Sequence, residues 1–442
     1  MKIILLSGGS GMRLWPMTGG DRPKQLLRLL RDEKGRPVSM LQHVWERLRR
    51  RGLERSAVIA TSAAQRETIR EQLGESVDLV LEPVKRDTYP AVLLAVAYLH
   101  AYRGLTRDEP VLVMPVDSLA DESFYDEVFR LPETLDDAGA RLALIGIKPR
   151  EPAEKYGYIV PEEGDAPSSG YVRVGRFREK PHRDEAERLM EAGALWNGGV
   201  FCFRGGYLLD RLERTGGTLT YEETLAEFPD MEQRSFDHAV VECERSIAAR
   251  VYEGSWSDLG TWCSLVESMP VSVSGRAVAS DDCVNTHIVN ETNIPVVAIG
   301  LADTIIAVGP EGVLVSRKQA SMRLKDALSR LAKLGPTPPA PGAESATDPP
   351  VKTLDRDMPG DGITVTTRKL RLERGESRSH GTVGPTAAVA WTIVRGSGRL
   401  EKEGVSAAVS GPGFTVTLGP GETGVLTAEE TLDIIEVSTV FD

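Results

Sequence analysis

The chain has 442 residues, of which 41% are hydrophobic and 27% are charged, as is ordinary for a protein of several domains. Its 53 Lys and Arg residues against 65 Asp and Glu residues leave a net charge of −12, which argues against a nucleic-acid partner. The longest apolar stretch, around Val92–Leu99, is far below the roughly 20 residues of a membrane span, and the N-terminal apolar run is too short for a secretory signal. We therefore expect a cytoplasmic protein without a membrane or nucleic-acid partner.

Residues 1–270 alternate short aliphatic runs with amphipathic stretches, a pattern typical of βαβ units. The predicted strands are Lys2–Leu6, Val58–Thr61, Val77–Leu81, Val111–Val116 and Leu142–Ile147. The predicted helices among them are Ser39–Arg51 and Ala64–Leu73. This favours a Rossmann-like α/β domain with a mostly parallel, mixed sheet. Because such sheets bind ligands beyond the carboxyl ends of their strands, the residues that follow each strand are the candidates for function.

Residues 271–334 change in character to short, Asn- and Gly-punctuated β segments followed by one helix, at 321–334. They predict a small β-rich segment, with coiled strands stacked as in a solenoid. In residues 335–350, six of sixteen positions are Pro, which predicts an extended linker. Residues 351–442 show β alternation and Gly turns and predict a second, all-β domain.

The first predicted strand runs into a glycine-rich loop, Ser7-Gly8-Gly9-Ser10-Gly11-Met12-Arg13, and Lys24 follows in the motif PKQ. Three glycines in four positions let backbone N–H groups turn toward an anion. The spacing matches neither the dinucleotide fingerprint nor the P-loop. Arg13 supplies a forked guanidinium and Lys24 a movable point charge, which together suit a triphosphate. The alternative is a simple glycine turn with surface cations.

This loop, followed by Leu14-Trp15-Pro16 and PKQ, resembles the opening motif of the sugar-phosphate nucleotidyltransferases, and within them the guanylyltransferase branch. Further segments match in family order across residues 1–333. The resemblance implies an enzyme that transfers GMP from GTP to α-D-mannose 1-phosphate with Mg²⁺ as cofactor, and a homodimer. Two alternatives stay open: another sugar 1-phosphate or nucleotide, or a regulatory relative that has lost turnover.

The segment Glu82–Thr88 resembles the family segment that approaches the base and ribose, although Asp87 stands where the family usually has Asn. Glu82 could accept hydrogen bonds from the N1–H and 2-amino groups of guanine. A compatible structural interpretation is a helix start with Asp87 or Thr88 as N-cap. The nucleotide contacts implied by the resemblance are Leu6, Ser7, Gly8, Gly9, Gly11, Met12, Arg13, Lys24, Glu82, Arg86, Asp87 and Thr88.

Asp117 directly follows the predicted strand Val111–Val116, where a carboxylate beside bound phosphates is well placed to hold Mg²⁺. The resemblance makes Asp258, in the segment WSDLGTW, the second metal ligand, and it assigns the catalytic roles to Arg13, Lys24, Asp117 and Asp258. It also implies a sugar site formed by residues of the motifs KYGYI, FREKP and WNGG, namely Gly157, Glu179, Lys180 and Asn197.

Residues 364–440 look like the cupin domain that longer family members carry as a mannose-6-phosphate isomerase. A metal-binding cupin needs about four ligands, mainly His with Glu or Gln. His380 is the single histidine of residues 351–442, and Ala388-Val389-Ala390 stands where the isomerase has a Glu-His pair. We therefore expect a degenerate cupin-like domain without isomerase activity, with a role in dimer contacts or regulation as a further expectation.

Overall fold

The computed structural model describes residues 1–8, 12–19, 22–164, 170–214, 217–218, 220–269, 271–333, 351–360, 363–402 and 404–441. The chain forms two compact units, Met1–Lys333 and Leu334–Asp442. The β-rich residues after 270 belong to the same unit as the α/β residues before them. The predicted linker, 335–350, lies outside the described residues.

The strands of the first unit are, in chain order, β1 (Lys2–Leu6), β2 (Leu30–Arg31), β3 (Pro37–Val38), β4 (Ala57–Ser62), β5 (Leu79–Glu82), β6 (Pro110–Pro115), β7 (Leu119–Ala120), β8 (Leu142–Ile147), β9 (Gly157–Pro161), β10 (Tyr171–Glu179), β11 (Leu195–Arg204), β12 (Glu213–Arg214), β13 (Gly217–Thr218), β14 (Ile247–Tyr252), β15 (Trp256–Ser257), β16 (Val273–Ser274), β17 (Ala277–Ala279), β18 (His287–Asn290), β19 (Val296–Ala298), β20 (Thr304–Gly309) and β21 (Gly312–Arg317). Its helices are α1 (Met40–Arg50), α2 (Arg66–Leu73), α3 (Thr88–Arg103), α4 (Glu122–Phe129), α5 (Leu131–Ala138), α6 (Arg183–Glu191), α7 (Gly206–Leu212), α8 (Tyr221–Glu227), α9 (Trp262–Ser268) and α10 (Leu324–Ala332). The strands and helices predicted within residues 1–150 are all present, with bounds that agree to within two residues.

The central sheet has nine strands in the order β5-β4-β1-β6-β11-β8-β14-β10-β9. The first four of these are parallel, so their carboxyl ends meet at one edge of the sheet. Strand β11 lies between β6 and β8 and is antiparallel to both. The sheet is therefore mixed, as predicted, but parallel pairing predominates only in its first half, because β11, which follows both β6 and β8 in the chain, inserts between them.

Apolar side chains cover both faces of this sheet. In β1, Ile4 joins one core together with α3, whereas Ile3 and Leu5 join the opposite core together with α1, as the alternation of a strand requires. Helix α3 is buried along most of its length, which explains its continuous apolar sequence. In the described part of the chain, no helix is both long and apolar enough to cross a membrane.

The β-rich end of the first unit packs on the segment that follows the glycine loop. Strands β16, β18 and β20 pair in parallel, β17 pairs in parallel with β19, and β21 folds back antiparallel on β20. Leu14 and Met17 share a buried cluster with Val289 and Ile305 of this region. A Cβ at Gly312 would lie 2.7 Å from the indole of Trp15, so only glycine permits this approach. The predicted terminal helix is present as a 3-10 turn followed by α10.

The second unit is all-β, with two sheets. Its strands are β22 (Val351–Gly360), β23 (Ile363–Leu372), β24 (Ser377–His380), β25 (Ala387–Arg395), β26 (Ser397–Lys402), β27 (Val405–Ser410), β28 (Thr415–Leu418), β29 (Gly424–Ala428) and β30 (Leu432–Phe441). They form one sheet of five strands and one of four. Glu436 is fully buried among them and accepts hydrogen bonds from Arg368, Arg378 and the indole of Trp391.

Candidate active site

Lys24 connects the two acidic residues that are predicted to bind the metal. It is 8% exposed and lies in a short 3-10 turn, Lys24–Leu26. Its Nζ lies 2.9 Å from Oδ2 of Asp117 and donates a hydrogen bond of 3.0 Å to the backbone oxygen of Asp258. Asp117 follows β6 and Asp258 follows β15, so the fold brings two residues from distant parts of the chain to one ammonium group.

Gln25, the neighbour of Lys24, holds the start of the glycine loop. It is 1% exposed, and its Nε2 donates a hydrogen bond of 2.9 Å to the backbone oxygen of Ser7. Thr61, at the end of β4, donates to the same oxygen at 3.3 Å. The backbone N–H of Ser7 donates to the oxygen of Ala60 at 2.9 Å. No role for Gln25 was predicted from the sequence, although its position beside Lys24 in the PKQ motif was a signal for one.

The centre of the glycine loop, with Gly9 and Gly11, lies outside the described residues, and only the backbone of Met12 is described. Arg13 lies in the 3-10 turn Met12–Leu14 and its side chain is exposed. At the start of the loop, Gly8 faces Glu82, since a Cβ at Gly8 would lie 3.3 Å from Oε1 of Glu82. The described end of the loop is therefore in contact with the end of β5.

Several of the predicted nucleotide-binding residues line one cavity of about 340 Å³ at the carboxyl ends of β1 and β5. Its walls are formed by Leu6, Gly8, Glu82, Lys85, Asp87, Thr88, Ala91 and Gln233. Burial, together with the negative charge of Asp87, raises the pKa of Glu82 to about 7, although Lys85 acts in the opposite direction. The cavity therefore presents a carboxyl group that changes charge near neutral pH.

The loop before α3 is braced by the segment around residues 229–236. Asp87 has a φ of 68°, and its carboxylate accepts a hydrogen bond from the N–H of Thr88. Asp87 is therefore the N-cap of α3, and it is one of the two residues predicted for this position. Thr88 Oγ1 accepts a hydrogen bond of 2.8 Å from the N–H of Phe236. The guanidinium of Arg86 donates to the backbone oxygen of Pro229, and Arg86 is not among the residues that line the cavity.

The predicted sugar-binding residues lie on β9, β10 and β11, apart from Lys180, which directly follows β10. Gly157 packs so closely on β10 that a Cβ would lie 2.5 Å from Cζ of Phe177 and 2.6 Å from Oε2 of Glu179. The ammonium of Lys180 is 2.6 Å from Oε1 of Glu179. The Glu179 side chain is 10% exposed, which indicates a carboxylate held in a fixed position.

Asn197 and Asp237 complete this cluster. The side-chain amide of Asn197 donates a hydrogen bond of 2.6 Å to Asp237 and accepts one of 3.1 Å from the N–H of Gly199. Burial, together with the charge of Glu179, raises the pKa of Asp237 to about 6. The sequence Ser235-Phe236-Asp237 resembles a family motif, but no role was predicted for Asp237, because only the fold places the turn Asp237–Val241 beside β11.

An aromatic group connects this cluster to Asp258. The ring of Tyr156 lies 4.8 Å from that of Trp196 and 5.3 Å from that of Trp256. Lys155, next to Tyr156, places its Nζ 3.0 Å from Oδ1 of Asp258. Although burial opposes it, the charge and hydrogen bond of Lys155 hold the pKa of Asp258 below its usual value. Lys155 was not predicted as a site residue.

The described residues contain no cluster of three or more His, Cys, Asp and Glu side chains arranged to hold a metal ion. Asp117 and Asp258 nevertheless offer two carboxylates, with side chains 39% and 26% exposed. Proteins commonly bind Mg²⁺ through one or two carboxylates together with substrate phosphates and water. This pair therefore fits a divalent cation that is shared with a phosphate substrate.

Comparison with known proteins identifies the family of the chain. The family model described as nucleotidyl transferase matches residues 2–272. A mannose-1-phosphate guanylyltransferase from Klebsiella pneumoniae is 32% identical over 362 residues, which cover 74% of this chain and 73% of that protein. The alginate biosynthesis protein AlgA of Pseudomonas putida is 28% identical, with 76% of this chain and 72% of that protein covered.

Among solved structures, a protein from Thermus thermophilus, described as a mannose-1-phosphate geranyltransferase, matches with a TM-score of 0.61 and 28% identity. The match covers 75% of this chain and 99% of that one. The extent of the family match and the identity to the Klebsiella protein agree with the family that the opening motif resembles. The chain is an enzyme that belongs to the nucleotidyl transferase family, in the group that includes the mannose-1-phosphate guanylyltransferases.

Proposed function

We propose that this nucleotidyltransferase transfers GMP from GTP to α-D-mannose 1-phosphate, with GDP-mannose and pyrophosphate as products. The observation that carries the proposal is the contact of Lys24 with both Asp117 and Asp258. Gln25, next to Lys24, donates a hydrogen bond to Ser7 at the start of the glycine loop, beside the nucleotide cavity. Lys155, which pairs with Asp258, lies two residues before Gly157 of the predicted sugar site. The names of the relatives support the choice of sugar and nucleotide.

The chemistry asks little of a general base, because the attacking oxygen belongs to a phosphate that is already anionic. Catalysis then depends on positioning and on stabilising the charge that develops at the α-phosphorus. The amides of the glycine loop and Arg13 bind the β- and γ-phosphates in this mechanism. Lys24, held by two acceptors, neutralises charge at the α-phosphate.

Asp117 and Asp258 are the residues that would hold Mg²⁺. When bound, the ion supplies Lewis-acid stabilisation of phosphate oxygens. The residues themselves perform a second task, which is to orient Lys24: one presents its carboxylate and the other its backbone oxygen to the same Nζ. Loss of the Asp117 side chain would therefore also remove one acceptor from Lys24, whereas a substitution at Asp258 would keep the backbone oxygen.

The two ends of the substrates are distinguished by the charge of the residues that face them. Glu82, when ionised, accepts hydrogen bonds from the N1–H and 2-amino groups of guanine, which adenine cannot supply together. At the other end, Glu179, Asn197 and Asp237 present acceptors to the hydroxyl groups of a sugar.

For the second unit we propose a cupin-like domain that has lost its metal site and isomerase activity. In support, His380 is the last residue of β24, and its Nδ1 lies within hydrogen-bond distance of the neighbouring Gly381 oxygen. The interior around Trp391 is instead filled by the Arg368–Glu436–Arg378 ion pairs. An assay of mannose-6-phosphate conversion with added Zn²⁺ tests this, and turnover above background would contradict it.

The transferase proposal is tested by pyrophosphate release over a grid of nucleoside triphosphates and sugar 1-phosphates. We expect the highest kcat/KM for GTP with mannose 1-phosphate. Asp117→Ala and Lys24→Ala should each lower kcat at least ~10²-fold, as the loss of other electrostatic stabilisers does. Asp126→Ala, at an exposed ion pair with Arg51, is the matched control and should keep normal activity. A higher kcat/KM for another pair of substrates, or full activity of either site variant, would contradict the proposal.

A further inference from the structure

Lys155 is a second cation of the site, and its contacts differ from those of Lys24. Its Nζ donates a hydrogen bond of 3.0 Å to Oδ1 of Asp258, and the ammonium lies 4.6 Å from the centroid of the Tyr156 ring. Each acidic residue of the predicted metal pair is thus already matched by a lysine: Asp117 by Lys24 and Asp258 by Lys155. The four charges cancel within the group.

The two lysines differ in exposure and in the number of oxygen acceptors that bind their ammonium groups. The side chain of Lys24 is 10% exposed and has two oxygen acceptors from different elements. The side chain of Lys155 is 31% exposed, and Asp258 Oδ1 is the hydrogen-bond acceptor that the structure shows for it. A lysine ammonium on a flexible four-carbon stem changes position more readily when it has one hydrogen-bond acceptor and an aromatic face than when two oxygen acceptors hold it. Lys155 is therefore the cation that can leave.

We propose that Lys155 and a divalent cation compete for the carboxylate of Asp258, and that the displaced ammonium of Lys155 then binds the phosphate of the incoming sugar phosphate. The proposal rests on the proposed function for the identity of that phosphate. A divalent cation bound to the Asp258 carboxylate would lie close to the ammonium of Lys155, which is 3.0 Å from Oδ1, and the two positive charges repel each other, so binding of one disfavours the other. The position of Lys155 in the chain supports the second step. Gly157, two residues further on, begins β9 and packs against Glu179 in the predicted sugar site.

Competition between Lys155 and the divalent cation predicts that removal of Lys155 strengthens metal binding, whereas a merely structural role of Lys155 predicts that it does not. If Lys155 occupies a ligand oxygen, its removal frees that oxygen, so Lys155→Met binds Mn²⁺ more tightly than the wild type in the absence of nucleotide and sugar. We expect a gain of about two- to fivefold, the value of one partly exposed ion pair. Lys155→Arg keeps a cation at this position and should keep the affinity of the wild type.

The experiment is a titration of the full chain with Mn²⁺ alone, followed by electron paramagnetic resonance. Lys148→Met is the control, since Lys148 pairs with Glu253 at 2.9 Å and both side chains are more than 60% exposed. We expect its Mn²⁺ affinity to equal that of the wild type. Unchanged or weaker Mn²⁺ binding by Lys155→Met, with thermal unfolding like that of the control, would overturn the competition.

The second step has its own measurement. In steady-state kinetics, Lys155→Met should raise the KM for mannose 1-phosphate about tenfold, with little change in the KM for GTP, as the loss of one charge-assisted contact to phosphate predicts. An unchanged KM for the sugar phosphate would overturn the transfer of Lys155 to the phosphate. If the wild type prefers other substrates, the proposed function fails, whereas the Mn²⁺ titration, which needs no turnover, still decides the competition.

Discussion

The indole Nε1 of Trp262 donates a hydrogen bond of 2.9 Å to the backbone oxygen of Trp15. Trp15 follows the glycine loop, and Trp262 is the first residue of α9, four positions after Asp258. The bond therefore ties the phosphate-binding segment directly to the segment that carries the second predicted metal ligand. It also gives the Trp-Pro part of the opening motif a role in packing.

Replacing Trp262 by Phe should destabilise the first unit. Trp262 is fully buried, and Phe leaves the oxygen of Trp15 without this donor, which costs about 1–3 kcal/mol for a buried acceptor. Urea unfolding followed by fluorescence measures the effect. Trp45→Phe, at a partly buried indole on α1, is the control, and an equal loss of stability there would contradict a special role for the Trp15–Trp262 bond.

Binding of GTP should strengthen as pH rises through about 7. Burial and the charge of Asp87 raise the pKa of Glu82 to this value, although Lys85 acts in the opposite direction. The ionised form is the one that accepts from guanine, and at one pH unit below the pKa only about 10% of it is present. The KM for GTP should therefore fall between pH 6 and pH 8. In Glu82→Gln the KM should be higher and this Glu82-dependent slope should be absent.

The same shift has a consequence for stability. A carboxyl group whose pKa is raised on folding stabilises the native state in its protonated form, so the contribution is present below about pH 4.5 and is lost as pH rises through about 7. Glu82→Gln stays neutral and should lose less stability than the wild type over this interval. Thermal unfolding at pH 5 and pH 8 compares the two proteins, and identical pH profiles would refute the assignment.

Gly157→Ala should impair sugar binding more than nucleotide binding. The new Cβ would lie 2.5 Å from Phe177 and 2.6 Å from Glu179, so the Glu179 carboxylate must move. Overpacking of this kind costs about 1–3 kcal/mol, which predicts a KM for the sugar phosphate that is at least about fivefold higher. Gly384→Ala, where nothing lies within 4 Å of the new Cβ, should be neutral. Equal increases in both KM values would indicate general disruption instead.

Glu436→Ala should destabilise the second unit strongly and leave nucleotidyl transfer intact. It would remove the buried carboxylate that pairs with Arg368 and Arg378, and breaking a buried ion pair costs about 3–5 kcal/mol. Calorimetry should show one transition at a lower temperature. Glu429→Ala, at the exposed pair with Arg399, is the control. Because every proposed catalytic residue lies within residues 1–333, a loss of transferase activity below that transition would contradict this division of roles.

Local features were predictable because they depend on neighbours in the chain. The aliphatic run of β1, the capping position of Asp87 and the glycine-rich loop each follow from the period or type of adjacent residues. The order of strands in the sheet could not be predicted from the sequence, since β11 inserts between β6 and β8 although it follows both in the chain. Hydrophobic pattern reports that a strand is buried, but it does not report which strand lies beside it.

Patterns of neighbouring residues were enough to establish the α/β class, the positions of the early strands, the family and the residue types of the candidate site. The folded chain was needed to learn that Lys24 meets both Asp117 and Asp258, that Lys155 occupies the carboxylate of Asp258, and that Asp237 faces Asn197. These contacts join residues far apart in the chain. Their distances are set by the packing of a nine-stranded sheet and its two cores, which no local pattern encodes.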